Sequence, residues 1–455
     1  MIFKTLTGDN RYIWRVVKAA RKNTLKGVIW LFFLCICCPD AVGQKTGNFF
    51  TPPKRESRPA NNPSDSFMHR LLAENSQYFS EILEKKEELG LQIIYTRIDR
   101  TKKNKPGFTD HYFGVNADKY FYPASTVKLP VAILALQRLN ELNIAGLNKY
   151  STMYTAAAGE RLSAVSNDPS APDGRPTIAH YIKKILLVSD NDAYNRLYEF
   201  LGQEYINNSL QKMGYANTQI IHRLSISLSD EENMLANAVT FIDSTGKILF
   251  SKPVQISNLL YKTRAIKMGN GYIRGNELVN EPFDFSNKNA MSLSDLHQML
   301  KSILFPEAVP KEKRFNLTAE DYLFLRRYMS MLPGESVYPK YDSNSYWDNY
   351  VKFLFYGSEK GNPNPGIRIF NKVGNAYGFL VDAAYFADFG NNIEFLLSAV
   401  IYCNSDGIFN DDKYDYDKVG LPFLKNLGEV IYEYELNRKR KKVPDLRAFQ
   451  FTYRE

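Results

Sequence analysis

Ser125 and Lys128 stand three residues apart, and on a helix that spacing puts a hydroxyl and an amine on one face. They close the stretch Tyr122-Pro123-Ala124-Ser125-Thr126-Val127-Lys128, which runs into the apolar segment Leu129 to Leu139. Leu, Val and Ile recur there at helical spacing, with Gln137 and Arg138 left for the wet side. A helix is therefore expected from about Ser125, with Pro123 just outside and Pro130 near its first turn, where a missing N–H costs least. An ammonium at the head of so apolar a helix must find partners or give up its proton. An amine without its proton, beside a hydroxyl that can lose one, makes an activated nucleophile. The pair has little specificity by itself, because Ser209/Lys212 and Ser244/Lys247 repeat the spacing.

Two companions give it context. Ser189-Asp190-Asn191 begins 64 residues after Ser125 (189 − 125). Thr177 opens a helix through Ile178, Tyr181, Ile182, Ile185 and Leu186, and a second helix carries Ala193 to Leu201 before Gly202. Ser189 and Asn191 thus fall in a tight polar turn between two helices, where Asp and Asn fold back on their own backbone and Ser189 is left to face a cleft. An ordinary helix cap accounts for the same tripeptide. The second companion is Lys372-Val373-Gly374, at the end of a strand from Ile367 that turns tightly at Gly378. Gly374 lets a substrate approach the backbone. Lys212-Met213-Gly214 and Lys267-Met268-Gly269 share the Lys-x-Gly pattern, so order and context carry its weight.

In that order the three fragments resemble the penicillin-recognising serine hydrolases, in particular class A β-lactamases and their relatives. The resemblance covers roughly residues 75–435 and extends to Asn191-Asp192-Ala193-Tyr194-Asn195-Arg196-Leu197. It implies a serine hydrolase acting through an acyl-enzyme on an amide or β-lactam carbonyl. Ser125 attacks, Lys128 takes or relays its proton, and Ser189 passes a proton to the leaving nitrogen. Lys372 keeps the field positive for that path and for a substrate carboxylate, and Asn191 holds the substrate's amide side chain. Gly374 and Asn375 border the substrate, and the N–H groups of Ser125 and Asn375 form an oxyanion hole. Asp190 holds the turn.

Two departures from the family pattern bear on function. Val373 stands where the family has Thr or Ser, which removes a hydroxyl that helps bind a β-lactam or D-Ala-D-Ala carboxylate. The region His222 to Asn237 has no Glu-x-x-x-Asn to activate a deacylating water; Glu231 and Glu232 are near, and a solvated acidic turn accounts for both. Hydrolysis of the acyl-enzyme is then expected to be slow. A cell-wall D,D-peptidase or esterase on the same fold, and a non-catalytic envelope binder, are the alternatives.

The elements that must position these groups are strands at both ends of the chain with helices between. They imply an α+β domain of β-lactamase/transpeptidase type, whose N- and C-terminal strands share an antiparallel sheet with an inserted helical lobe. Its expected extent is 67–436, with inserted segments within 239–366. Residues 1–43 read as a secretory signal, with Arg11, Arg15, Lys18, Arg21, Lys22 and Lys26 before the apolar block Val28 to Cys38 and Ala41-Val42-Gly43. An uncleaved anchor, or lipid attachment at Cys37 or Cys38, is the alternative. Export to the periplasm or medium is expected, followed by a disordered tether over 44–66.

The 455 residues carry a net charge of +9. The leader holds seven basic and two acidic residues, so its removal leaves +4 (9 − 5). The basicity is mostly targeting and argues against nucleic acid as a partner. Without the leader only Cys403 remains, so no internal disulfide is expected. No His pair has zinc-ligand spacing and no Gly-rich loop fits a nucleotide, so neither metal nor cofactor is expected. The run Arg438 to Lys442 within 437–455 reads as a solvated basic tail, with contact to an anionic envelope surface as the alternative.

Overall fold

The computed structural model describes residues 64–261 and 264–453, all within one compact unit. The expected leader, the cysteines Cys35, Cys37 and Cys38, and most of the expected tether lie outside the described residues. Helices α1 (Ser66–Glu74) and α2 (Ser76–Glu84) lead into β1 (Gln92–Arg100) and β2 (Pro106–Phe113). Ser64 already bridges Phe113, and the Asp65 carboxylate accepts from the Met68 N–H, so the ordered fold starts before residue 67.

Three late strands, β3 (Ile367–Ala376), β4 (Phe379–Asp388) and β5 (Ile393–Tyr402), complete one five-stranded antiparallel sheet in the order β3-β4-β5-β1-β2. N- and C-terminal strands therefore meet at the β1–β5 pair, with Gln92 opposite Val400 and Tyr95 opposite Leu397. Every residue of β4 is buried, because the sheet is covered on both sides. Phe379, Val381, Ala383 and Tyr385 face one core while Leu380, Ala384 and Phe386 face the other, the alternation a strand's two-residue period demands.

The first core joins the sheet to the helical lobe, built around α3 (Lys128–Leu142), α4 (Ile178–Val188) and α5 (Asn191–Leu201). Helix α3 is buried along nearly its whole length. Gln137, expected on the wet side, is buried as well, where its Oε1 accepts from the Asn316 N–H. Two further helices, α6 (Leu293–Leu304) and α7 (Ala319–Ser330), start at Ser292 and Thr318, whose hydroxyls accept from the Asp295 and Asp321 N–H groups. The second core packs the other sheet face against α1, α2 and α8 (Leu421–Asn437).

Of the basic run Arg438 to Lys442, expected to be solvated, Lys439, Lys441 and Lys442 are exposed, whereas Arg438, Arg440 and the segment that follows are packed. Leu446 and Phe449 are buried, and Phe449 packs edge-on against Phe305. Arg438 and Arg440 both reach the buried carboxylate of Glu435, which also accepts from the Tyr95 hydroxyl. The physical reason is that a buried carboxylate needs cations close by, and the run following α8 supplies them. Among the described residues no helix is long and apolar enough to cross a membrane.

Candidate active site

The segment around Ser125 is not simply the first turn of α3. Ala124–Val127 form a turn of 3-10 helix, and the α-helix begins at Lys128. Ala124 holds a left-handed φ of 47°, an uncommon conformation for a residue with a Cβ, on the order of 1 kcal/mol or more above the helical well. The Thr126 hydroxyl and N–H both return to the Pro123 carbonyl, at 2.6 and 3.1 Å, and fix the bend. Ser125 is partly exposed at the mouth of a cleft of about 460 Å³.

Ser189 is the C-cap of α4, with φ 61°, and its N–H bonds the Ile185 carbonyl. The Asp190 carboxylate accepts from the Ala193 N–H at 2.8 Å and caps α5. The helix-cap reading and the cleft reading thus apply to different residues of one tripeptide: Asp190 holds the turn, and Ser189 and Asn191 line the cleft.

Lys128 is fully buried. Its Nζ donates to the Ser189 carbonyl and, at 2.6 Å, to Asn191 Oδ1, and stands 3.2 Å from Ser189 Oγ. Burial drives this ammonium well below its ordinary range, the charge of Lys372 adds to the effect, and Asp190 opposes it. The two oxygens that only accept use two N–H bonds. A neutral amine then has one lone pair left for a hydroxyl proton. Asn191 is oriented by its other end, where Nδ2 donates to Ser225 Oγ at 2.7 Å.

Lys372 comes from the opposite wall. It lies on the β3 face that meets the helical lobe, and its Nζ donates to Ser189 Oγ and to the Val373 carbonyl, both at 2.8 Å. Ser189 Oγ therefore sits between two amines. Burial lowers Lys372 to about 7; Asp382 raises it and Lys352 lowers it further. Gly374 closes the join between strand and turn. A Cβ there would lie 2.7 Å from the Pro123 carbonyl oxygen, 3.0 Å from the Ser125 nitrogen and 3.1 Å from the Thr126 nitrogen. Only glycine permits that approach, which sets the end of β3 beside the Ser125 N–H. The hairpin that follows turns at Tyr377 and Gly378, both at positive φ, as a two-residue turn requires.

A profile described as the Beta-lactamase enzyme family matches residues 81–434. The chain belongs to that family. It is a serine hydrolase of the β-lactamase family with the α+β fold described above. Among solved structures, a β-lactamase from Desulfarculus baarsii aligns at 16% identity over 79% of this chain and 98% of its own, with a TM-score of 0.41. A class A β-lactamase from Clostridium kluyveri aligns at 17% over 79% and 98%, TM-score 0.42. An ancestral class A β-lactamase (GNCA) aligns at 13% over 79% and 100%, TM-score 0.43. No curated protein sequence matches.

Against that family background, the cleft brings together Ser125, Ser189, Asn191 and Asn375, with Lys128 and Lys372 buried behind Ser189. It does not bring Glu231 or Glu232, named as candidates for a deacylation base. Both belong to the helical turn Asp230–Met234, where Glu232 Oε2 accepts from the Ser229 N–H and pairs with Arg161 at 3.2 Å. The capping box and that ion pair hold Glu232 at the surface, and Glu231 is exposed. Ser225, not a carboxylate, is what the 222–237 segment presents to Asn191.

Three residues with a bearing on the site went unseen in the sequence. Lys352, in the aromatic-rich loop after α7, is buried and donates to the Met329 and Ile369 carbonyls and to Asn371 Oδ1 at 2.6 Å. Asn371 Nδ2 donates to Asp382 at 2.9 Å, and the other Asp382 oxygen accepts from the Leu354 N–H at 3.0 Å. Burial pushes Asp382 up and Lys352 down. This network lies on the sheet face opposite Lys372 and ties the 349–358 segment to β3 and β4. Asn371 adjoining Lys372 was the one available hint; nothing local marks Lys352 or Asp382 as partners.

Proposed function

We propose that Ser125 is the nucleophile of an exported hydrolase that forms an acyl-enzyme on an amide, ester or β-lactam carbonyl. The observation that carries this reading is Ser189 Oγ held between the amines of Lys128 and Lys372 at 3.2 and 2.8 Å, in a cleft that Ser125 also lines. Lys128, neutral through burial, takes the Ser125 proton as the Oγ–carbonyl bond forms. The carbonyl's negative charge is taken up by the N–H groups of Ser125 and Asn375, each worth about 3 kcal/mol in the transition state. Ser189 hands a proton to the departing nitrogen or oxygen, and Lys372 in its charged form supports that transfer.

Water must then cleave the ester at Ser125. The carboxylate among the described residues lining the cleft is Asp417, exposed at its rim, so this step lacks a close carboxylate to activate the water and is expected to be slow. That observation, with Val373 in place of a hydroxyl, favours a second reading: a peptidase or esterase of the cell envelope rather than a fast β-lactamase. The basic, apolar leader supports export.

The test is intact mass followed over time after mixing with a penicillin. The expected result is one adduct on Ser125 that decays slowly and is absent from Ser125→Ala. No adduct with penicillins, or with p-nitrophenyl esters, refutes the nucleophile; rapid nitrocefin turnover refutes slow deacylation.

A further inference from the structure

The cleft's lining has a marked chemical asymmetry. Ser125, Ser189, Asn191, Ser225 and Asn375 supply polar groups to one part of the lining, where Ser189 meets Lys128 and Lys372 and Asn191 meets Ser225. Beyond Val373 the wall is mainly apolar: Val351 and Phe353 from the segment pinned by Lys352, Leu380 from β4, and Leu421 at the start of α8; of the hydroxyls there, Ser358 donates to the Tyr350 carbonyl and Tyr416 accepts from the Gly378 N–H. Val351, Phe353, Val373 and Leu380 belong to the second core, with Leu421 packed against it, so this end of the cleft is an opening into that core. No arginine or lysine is among the described residues lining the cleft. The Lys372 ammonium is buried (2% exposed) and turned to Ser189 Oγ and the Val373 carbonyl. The charged side chain on the lining is Asp417, at the rim beside Leu421.

Resting on Ser125 as nucleophile, we infer that this apolar end is a substrate subsite for an uncharged aliphatic or aromatic group, and that it discriminates against substrates carrying a carboxylate there. The physical ground is twofold. A carboxylate placed among Val351, Phe353, Val373 and Leu380 loses its water without gaining a cation or N–H partner, which is strongly unfavourable. Asp417 adds like-charge repulsion on the way in. An alkyl or aryl group instead removes its own apolar surface and that of the wall from water. The segment carrying Val351 and Phe353 is held by the Lys352 Nζ bonds and by the Leu354 N–H to Asp382, so the wall is preformed rather than assembled by the ligand. The substrate class is a neutral acyl derivative with an apolar chain.

The test compares p-nitrophenyl hexanoate with the mono-p-nitrophenyl ester of adipic acid, which match in chain length and differ in the terminal carboxylate. Acylation of Ser125 is followed by nitrophenolate release and intact mass. The hexanoate is expected to react on the order of tenfold faster or more; equal or faster reaction of the adipate overturns the inference. Asp417→Lys, at an exposed position, is expected to narrow the preference several-fold, and Phe353→Ala to lower the hexanoate-to-acetate rate ratio. A Phe353→Ala protein with an unchanged ratio counts against the subsite, because a merely structural loss slows both esters alike. Calorimetric titration of Ser125→Ala with hexanamide and with adipic acid monoamide separates the two layers of argument. Tighter hexanamide binding without any acyl adduct on the wild type refutes the nucleophile and keeps the subsite; equal binding refutes the subsite whatever the wild type does.

Discussion

Replacing Gly374 by alanine puts a methyl carbon where the structure leaves 2.7 Å to the Pro123 carbonyl oxygen and 3.0 Å to the Ser125 nitrogen. Ordinary contact begins near 3.4 Å, so the end of β3 and the Ala124–Val127 turn must separate by about 0.7 Å (3.4 − 2.7). A hydrogen bond of about 2.9 Å stretched by that amount is lost. The groups forced apart carry the two proposed oxyanion donors, the N–H of Ser125 on the turn and of Asn375 on the strand. Losing one donor costs about 3 kcal/mol of transition-state stabilisation, or roughly a hundredfold in rate. Overpacking costs the fold about 1–3 kcal/mol, which leaves the native state populated. Gly374→Ala should therefore melt within several degrees of wild type while acylating Ser125 about a hundredfold more slowly. The rate is read as adduct appearance by intact mass with a penicillin or nitrophenyl ester, and the fold as circular dichroism and Tm. A folded Gly374→Ala protein that acylates within about threefold of wild type refutes the placement of the oxyanion donors.

Burial lowers Lys372 to about 7, and in the proposed mechanism its charged form supports Ser189. Acylation should fall as pH rises through about 7, and a rate independent of pH from 5.5 to 9 refutes that role. The same depression runs the other way for stability. The unfolded chain holds the extra proton between about 7 and the ordinary lysine value, so this group's contribution to stability rises with pH across that window and is lost below it. Glu231→Gln and Glu232→Gln should leave the decay of the acyl-enzyme unchanged, because neither carboxylate lines the cleft; a tenfold slower decay in either contradicts that geometry. Phe449→Ala should destabilise the fold by about 3–5 kcal/mol, measured by denaturant unfolding, since Phe449 is buried against Phe305 and Tyr385; a change below 1 kcal/mol contradicts a packed C-terminus.

What could be read from the chain alone were the local facts. Thr177 caps its helix, Asp190 caps the next, and Ile367 to Tyr402 is a three-stranded meander, because caps, helical periodicity and turn residues act over a few positions. The order of the three polar fragments also carried the family resemblance. Tertiary structure decided which partners meet: Lys352 donates to Asn371, which in turn donates to Asp382 on the neighbouring strand, and Arg440 turns back to Glu435. Buried charge must be matched wherever the fold can supply a partner, so its partners are set by packing rather than by spacing. The same reason removed Glu231 and Glu232 from the cleft: a capping box and an ion pair hold one at the surface, and the neighbouring segment presents Ser225 instead. Which residue types are present is written along the chain; which face the cleft is a property of how two cores close around it.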